Sequence, residues 1–453
     1  MRAPLFIFLI ILSCGGALAA DDEHLTRCDG ESSSPSAPPA QLTLSAAVRA
    51  ALARHPDLRI ADCEIAASSG RRVQAGLRPN PVANLAVENF AGSDTRRGLN
   101  TAETTLQLSQ LIELGGKRAR RTALADAERE LAEWDREARR LAVITRTRTA
   151  YIDVLAAQAR LALAQDLAAL ARSVFDTVAA KVRAGKVSPV EESRAEVDVQ
   201  RAGIGVATAT NALLAARQQL ALGWGGDGAT LGTAQGDLSR LPAHPTLAAL
   251  LAHLDRNPAL ARWPSELARR RRALELAAAN GVQNLTLSGG VRQFTETDDV
   301  GIVVGVSVPL PLFDRNQGAI LAAQADMAAA DAGLDSARRR LLDRIYEQHQ
   351  ALQSAVAEEA TLRDQVLPLA QRIFTATSEG YAYGKFGLIE VLDAQRTLFE
   401  SRALHVDALA RYHRAAAEIE GAIGVGLEEA AGPPPVDAAA TSAASVNSSK
   451  EQP

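Results

Sequence analysis

The sequence predicts a mainly α-helical chain with a small membrane β-barrel component, built from one unit of two strands and two long helices made twice. Three observations carry that expectation. Residues 104–118, TTLQLSQLIELGGKR, run from an alternating strand through a glycine pair straight into a helical pattern. Residues 303–318, VVGVSVPLPLFDRNQG, do the same about two hundred residues later, and each joint switches its hydrophobic period from about 2 to about 3.6 with no room for an ordinary loop. The helical pattern after the first joint then runs from Lys117 to about Val182 without a proline. That is about 65 residues, or roughly 100 Å of α-helix, too long for one globular domain and suited to a coiled coil or bundle.

Composition agrees with helices packed through small side chains: of 453 residues only 4% are aromatic and only 2 are methionine, while alanine is abundant. A net charge of -4 without a basic stripe gives nothing to a nucleic-acid partner. Residues 1–20, MRAPLFIFLIILSCGGALAA, combine Arg2, an apolar run from Leu5 to Leu12 and small residues ending in Ala17-Leu18-Ala19, the pattern of a secretory signal. Cleavage after Ala19 or Ala20 is the main expectation; lipidation at Cys14 is the rival, with Leu12 a poor fit to the usual small residue. Beyond the signal no apolar run of the ~20 residues a membrane helix needs is expected. Such an exported chain is periplasmic, extracellular or an outer-membrane β-barrel. Cys28 and Cys63 remain, as one disulfide or as two unrelated thiols.

In chain order, residues 21–41 are rich in Asp, Ser and Pro and read as a disordered leader. A first unit occupies residues 42–240. A helix capped at Thr43 or Ser45 runs to about Leu77 and ends at Arg78-Pro79-Asn80-Pro81. Strands follow at about 82–90 and 104–113, then long helices at about 117–182 and 188–222, with a turn at Arg183-Ala184-Gly185-Lys186. The second of these opens with a Ser188 cap, Pro189 at the first helical position and Glu191 completing a capping box.

A second unit, residues 241–426, answers the first. Asn257-Pro258-Ala259-Leu260 matches His55-Pro56-Asp57-Leu58, and Asn280, Val282, Asn284 and Leu285 match Asn80, Val82, Asn84 and Leu85. Strands are expected at about 283–293 and 301–310, and long helices at about 316–380, bent at Pro368, and 388–424. Phe374, Gly384 and Lys385 match Phe175, Gly185 and Lys186. A near-constant offset of about two hundred residues marks an internal duplication. Residues 427–453 read as a disordered tail.

Two short strands per unit are not stable alone, and each has one apolar and one small or polar face, as barrels facing lipid do. Four strands per chain are too few to close a barrel, so several chains must share one; a trimer gives twelve strands, and its long helices continue as a tube.

The joint Leu111-Ile112-Glu113-Leu114-Gly115-Gly116-Lys117-Arg118, the joint Pro309-Leu310-Pro311-Leu312-Phe313-Asp314-Arg315-Asn316-Gln317-Gly318, and Ile389-Glu390-Val391-Leu392-Asp393-Ala394-Gln395-Arg396 resemble the TolC superfamily of outer-membrane efflux channels. Within it they resemble the CzcC-type branch, the outer-membrane part of cobalt–zinc–cadmium resistance pumps. The likeness covers roughly residues 42–425. It implies a homotrimeric channel with a twelve-stranded barrel in outer-membrane lipid and a long α-helical barrel in the periplasm. It also implies a periplasmic adaptor and an inner-membrane proton-driven RND pump as partners, heavy-metal cations (zinc, cobalt, cadmium) as cargo, and no cofactor or catalysis. The same channel serving drugs or other small molecules is the alternative. A periplasmic coiled-coil adaptor or structural protein would explain the helices but not four membrane-like strands at duplicated positions.

The resemblance also points to residues. The turns holding Arg183, Gly185 and Lys186 and Tyr383, Gly384, Lys385 and Phe386 become the periplasmic tip that meets the adaptor; a plain turn glycine with positive φ explains Gly185 and Gly384 equally well. Tyr381, Glu390 and Asp393 become the periplasmic aperture. Glu390 and Asp393 stand one helical turn apart, and three chains would stack them as two carboxylate rings favouring cations. For Glu390 the helix dipole alone favours a carboxylate in a first turn. Some members of the superfamily have a basic residue near the position of Phe386 that helps hold the entrance shut; here that residue is Phe386, and Tyr381 remains for a closing network. Arg71-Arg72 and Arg269 to Arg272 suit either a basic collar or a solvated helix face. Among the histidines, His349 and His405 are expected on helix surfaces, and none has metal-ligand spacing. No GxSxG, Walker loop or GxGxxG after a strand is present, so the sequence offers no enzyme chemistry.

Overall fold

The computed structural model describes residues 41–242 and 244–430 of the chain; the export signal with Cys14, most of the leader with Cys28, and the tail from residue 431 lie outside the described residues. The N-terminal helical segment is broken where the sequence pattern runs on. Helix α1 (Leu44–Arg54) starts at Thr43, whose side chain accepts from the Ala46 amide at 3.2 Å. Helix α2 (Pro56–Gly76) follows after the single residue His55. Proline forces its predecessor out of the helical region, and His55 sits at φ -62°, ψ 127° with Nδ1 accepting from the Asp57 amide at 3.1 Å. One histidine thus ends one helix and caps the next.

Four strands then make one antiparallel sheet in sequence order: β1 (Val82–Glu88), β2 (Glu103–Ile112), β3 (Leu285–Phe294) and β4 (Asp299–Ser307). The central β2–β3 ladder, running from Glu103 opposite Phe294 to Ile112 opposite Leu285, joins the two repeats. Because side chains alternate, the register sorts them by face. Leu85, Leu106, Val291 and Ile302 lie in one row of the outer face, and Ala83, Leu108, Gly289 and Val304 in the next. The opposite face is mostly small or polar: Asn84, Gln107, Gly290 and Val303 in one row, Ala86, Thr105, Arg292 and Gly301 in another. There Arg292 donates to Glu103 at 2.8 Å, to Thr105 at 2.9 Å and to Glu88 at 3.3 Å. The free edges of β1 and β4 pair with no strand among the described residues.

Each repeat passes from strand to helix through a left-handed residue. Gly116, at φ 69°, precedes α3 (Lys117–Arg183), and Asn316, at φ 61°, precedes α6 (Gln317–Thr361). Asparagine is among the few side chains that tolerate this region. Gly115 is needed twice over: φ is 71°, and a Cβ there would stand 2.9 Å from the Val282 Cβ.

Helix α3, of 67 residues, is the spine. It packs against α4 (Pro189–Leu222), α2, α5 (Trp263–Asn280) and α8 (Leu388–Ile423). The second long helix is irregular near Pro368. Alpha-helix α6 ends at Thr361, residues 362–366 make a π turn, and α7 (Leu367–Ala382) resumes with the proline in its first turn. Proline cannot donate to the carbonyl four residues earlier, and the π turn absorbs that mismatch. The largest core cluster lies where α6 and α8 meet the short helices after residue 245, around Leu250, Ile345, Leu352, Tyr412, Ile419 and Ile423.

Several expectations need correction at the margins. Gln41, placed in the leader, pairs with Thr233 in a two-residue parallel ladder, and the Tyr151 hydroxyl lies 2.7 Å from the carbonyls of both Leu42 and Gln235, pinning it. Residues 427–430, placed in the tail, form a helical turn because Leu427 and Ala430 bury themselves in the main cluster. Cys63 is disulfide-bonded, which removes the reading of two unrelated thiols. Against the expectation of no such run, one stretch of α3 is long and apolar enough, by length and composition only, to cross a membrane. Nor are His349 and His405 plain surface residues. Both ring nitrogens of His349 are buried without a hydrogen-bond partner, and His405 Nε2 faces the buried Glu359 at 3.3 Å. The arginine run is largely paired within its own neighbourhood: Arg269 and Arg270 hold Glu266, Arg272 holds Glu275, and Arg72 holds Asp126.

Candidate functional site at the helical tip

Both long hairpins end in the same turn. In the first, the Gly185 amide donates to the Val182 carbonyl and Lys186 to Lys181, both at 2.9 Å. In the second, Gly384 donates to Tyr381 at 3.2 Å and Lys385 to Gly380 at 2.8 Å. This paired closure needs a left-handed residue after the helix, supplied by Gly185 at φ 66° and Gly384 at φ 73°. Around them Arg183, Lys186, Tyr383, Lys385 and Phe386 are all exposed, with Tyr383 at 82%. The structure therefore presents a cationic, partly aromatic surface at the tip.

Tyr381 behaves differently. It is 8% exposed and sits in a cluster with Val178 of α3, Ala195 of α4 and Leu388 and Val391 of α8. Its hydroxyl donates to Glu191 of α4 at 3.2 Å. Lys181 of α3 donates to the Tyr381 carbonyl at 2.7 Å and places its ammonium 3.8 Å from the ring centroid. Burial, with the Glu191 charge and hydrogen bond adding to it, pushes the phenol up to about 12, so it stays protonated and able to donate. One residue thus ties the second hairpin to both helices of the first. Phe386 folds back over Gly380, where a Cβ would meet its ring at 2.1 Å, so this glycine makes room for the aromatic.

The two carboxylates of the expected aperture have separate surroundings. Glu390 turns back over the start of its own helix; a Cβ on Gly387 would stand 2.8 Å from its Oε2. That is the position the dipole and uncapped amides of α8 favour, since Gly387 offers no capping side chain. Asp393 is exposed and accepts from Arg396, one turn along, at 2.5 Å. Both Asp393 and Arg396 line a groove of about 920 Å³ between α4 and α8, floored by Leu163 and Leu167 of α3. Across it, Gln395 donates to Asp198 of α4 at 3.1 Å.

Sequence reasoning missed Lys181, Glu191 and Arg396 as parts of this site. Glu191 was legible only as a cap, yet it stands at the same offset from Glu390 as Gly185 from Gly384 and Lys186 from Lys385. That correspondence was the available signal. Among the described residues no group of His, Cys, Asp and Glu side chains is arranged to hold a metal ion.

Comparison with known proteins gives the family and the fold. The sequence model of the outer membrane efflux protein family matches residues 47–226 and 250–425. The chain is 36% identical over 387 residues to the cobalt-zinc-cadmium resistance protein CzcC of Cupriavidus metallidurans, covering 84% of this chain and 90% of that protein. It is 28% identical over 336 residues to the nickel-cobalt-cadmium resistance protein NccC of Alcaligenes xylosoxydans xylosoxydans, covering 74% of each. In fold it matches the outer-membrane channel OprN with a TM-score of 0.71 at 20% identity, over 89% of this chain and 92% of that one. It also matches CusC with a TM-score of 0.68 at 18% identity, over 84% and 92%.

Proposed function

The chain belongs to the outer membrane efflux protein family, and from that premise we propose that it is the outlet of a tripartite pump for divalent heavy-metal cations. Its coarse role follows from its kinship: an outer-membrane efflux channel of the metal-resistance type, with a helical part in the periplasm. A coiled-coil adaptor is set aside by that membership. The finer reading has three parts. Three chains close a twelve-stranded barrel, edge β1 of each meeting edge β4 of the next, which satisfies the open ladder groups that one chain leaves. A periplasmic adaptor meets the exposed tip around Lys186, Tyr383 and Lys385, and an inner-membrane RND pump delivers the cargo. Zinc, cobalt and cadmium cations then pass without being held.

The observation carrying the cargo assignment is the 36% identity to the cobalt-zinc-cadmium protein, extended along 84% of the chain. The channel takes no chemical step. What its residues contribute is shape and field: a small, polar inner sheet face, and carboxylates near the entrance. The Tyr381 contacts to Glu191 and Lys181 support a closed resting entrance, because they hold the second hairpin in against the first. Phe386 packs on Gly380 and adds apolar contact to the closed turn. Growth of a deletion strain on zinc, cobalt and cadmium, beside a panel of drugs and detergents, tests the cargo. Metal sensitivity alone supports it; sensitivity to drugs without metals transfers the channel to organic cargo.

A further inference from the structure

The joint after β4 distributes its side chains the wrong way round for a soluble loop. Leu310, Leu312 and Phe313 are 75%, 66% and 89% exposed. Meanwhile its polar residues, mostly exposed themselves, are spent on hydrogen bonds to backbone and to each other. Asp314 accepts from the Asn316 amide and Gln317 Oε1 from the Arg315 amide, both at 2.8 Å. Arg315 Nε donates to the Pro311 carbonyl at 3.2 Å, Gln317 to the Phe313 carbonyl at 3.0 Å, and Asn316 to the Ala277 carbonyl at 2.6 Å. Pro309 and Pro311 fix two further φ angles. A loop this tightly bonded does not expose three large apolar groups through slackness; it holds them out.

The other joint is built to opposite effect. There Glu113 accepts from Arg121, which also donates to the carbonyls of Ala75 at 3.1 Å and Leu77 at 3.2 Å, while Lys117 is buried on Asn284. The first joint is fastened to the protein, and the second is presented to something outside it.

The outer face of β4 says what that is. Val300, Ile302, Val304 and Val306 all expose their side chains, and beyond the strand end at Ser307 the exposed apolar residues Val308, Leu310 and Leu312 keep the same spacing in sequence. Along β4 itself these side chains leave along the outward normal of the sheet. A neighbouring copy pairing with the β4 edge would instead approach sideways, along the hydrogen-bonding direction. At the end of the row stand an aromatic ring and the exposed guanidinium of Arg315, the pairing of apolar body and basic tip that suits a lipid headgroup boundary.

We propose that residues 308–316 form a rigid wedge seated in the interfacial layer of the periplasmic phospholipid leaflet, with Leu310, Leu312 and Phe313 among the upper acyl chains and Arg315 at the phosphates. The inference rests on the barrel reading above, and it assigns the depth of the barrel in the membrane to one joint of the two.

The test uses the full chain in phospholipid vesicles, with single substitutions Phe313→Trp, Ile302→Trp and Tyr383→Trp measured against the unsubstituted chain and its three native tryptophans. Lipids brominated near the ester end or near the terminal methyl quench tryptophan by depth. The expected result is that the indole at position 313 loses most of its emission to the shallow bromines and little to the deep ones. The indole at 302 should be quenched by deep bromines, and that at 383 by neither. If 302 is quenched and 313 is not, the wedge is wrong. Shielding of 313 from acrylamide then assigns the loop to a second copy of the chain, and accessibility leaves it in water. If no bromolipid quenches 302, the barrel reading fails and takes the wedge with it.

Discussion

Replacing Tyr381 by phenylalanine removes one oxygen and keeps the ring, so it isolates the hydroxyl bond to Glu191 from the packing around Val178 and Leu388. A hydrogen bond to a charged acceptor contributes about 1.5–3 kcal/mol when buried. Glu191 is only half-buried, so the lower end, about 1.5 kcal/mol per chain, is the appropriate figure. That moves the ratio of closed to open hairpins roughly tenfold. Conductance of the reconstituted channel in planar bilayers should show more frequent or longer open events. Lys181→Met should act in the same direction, since it removes the bond to the Tyr381 carbonyl and the cation over the ring. The phenol's pKa is raised to about 12 from 10, so its contribution is complete below pH 10 and fades only as pH climbs towards 12. Wild-type and Tyr381→Phe channels should therefore differ by the same factor from pH 6 to 9. Identical open probabilities for the two would refute the idea that this bond holds the entrance shut.

Three further predictions rest on other residues. Asp393→Asn combined with Glu390→Gln should weaken cation selectivity in reversal-potential measurements, with most of the loss from Asp393, because Glu390 is turned back over Gly387; Arg396→Gln should raise selectivity by freeing the Asp393 carboxylate, and no change in either direction sinks the carboxylate ring. Gly421→Ala places a Cβ 2.3 Å from Thr145 Oγ1 where α8 crosses α3, so unfolding should show a loss of about 1–3 kcal/mol, partly recovered by adding Thr145→Ala. His413 bonds the Leu238 carbonyl at 2.9 Å, and burial holds its pKa below the usual 6.5. It contributes stability that is complete above pH 6.5 and is lost as pH falls through the lower folded value, so the melting temperature should drop on mild acidification and His413→Gln should flatten that dependence.

The fold class was legible because its signals are local and repeated. The period switches at Gly115-Gly116 and Asn316-Gln317, the proline-free stretch of α3 and the Ser188-Pro189 cap each declare a boundary within a few residues. What escaped depends on partners far along the chain. His55 reads as one more helical residue until Pro56 is weighed, and residues 427–430 look like tail until Leu427 finds the cluster around Tyr412. The tip shows the same divide. Gly185 and Gly384 are visible from turn chemistry alone, whereas the contact of Tyr381 with Glu191 joins residues 190 positions apart and leaves no local trace.

The duplication explains why the architecture was readable and why the function was less so. Gene-level copying supplies two strand pairs and two hairpins with the same turns, and symmetry of that kind makes a wall. Function enters where the copies differ. Glu191 and Glu390 hold equivalent places, yet one accepts from a buried tyrosine across the hairpins and the other folds over its own helix start. Lys181 spans to the partner hairpin, while its counterpart Gly380 is vacated for Phe386. The first strand-to-helix joint is fastened inward by Glu113 and Arg121; the second holds Phe313 out. On the gating and seating proposed above, one copy of the hairpin and one copy of the joint do what the other does not. The departures from the repeat, more than the repeat itself, are therefore the positions at which substitution should change gating, selectivity or membrane seating while leaving the tube intact.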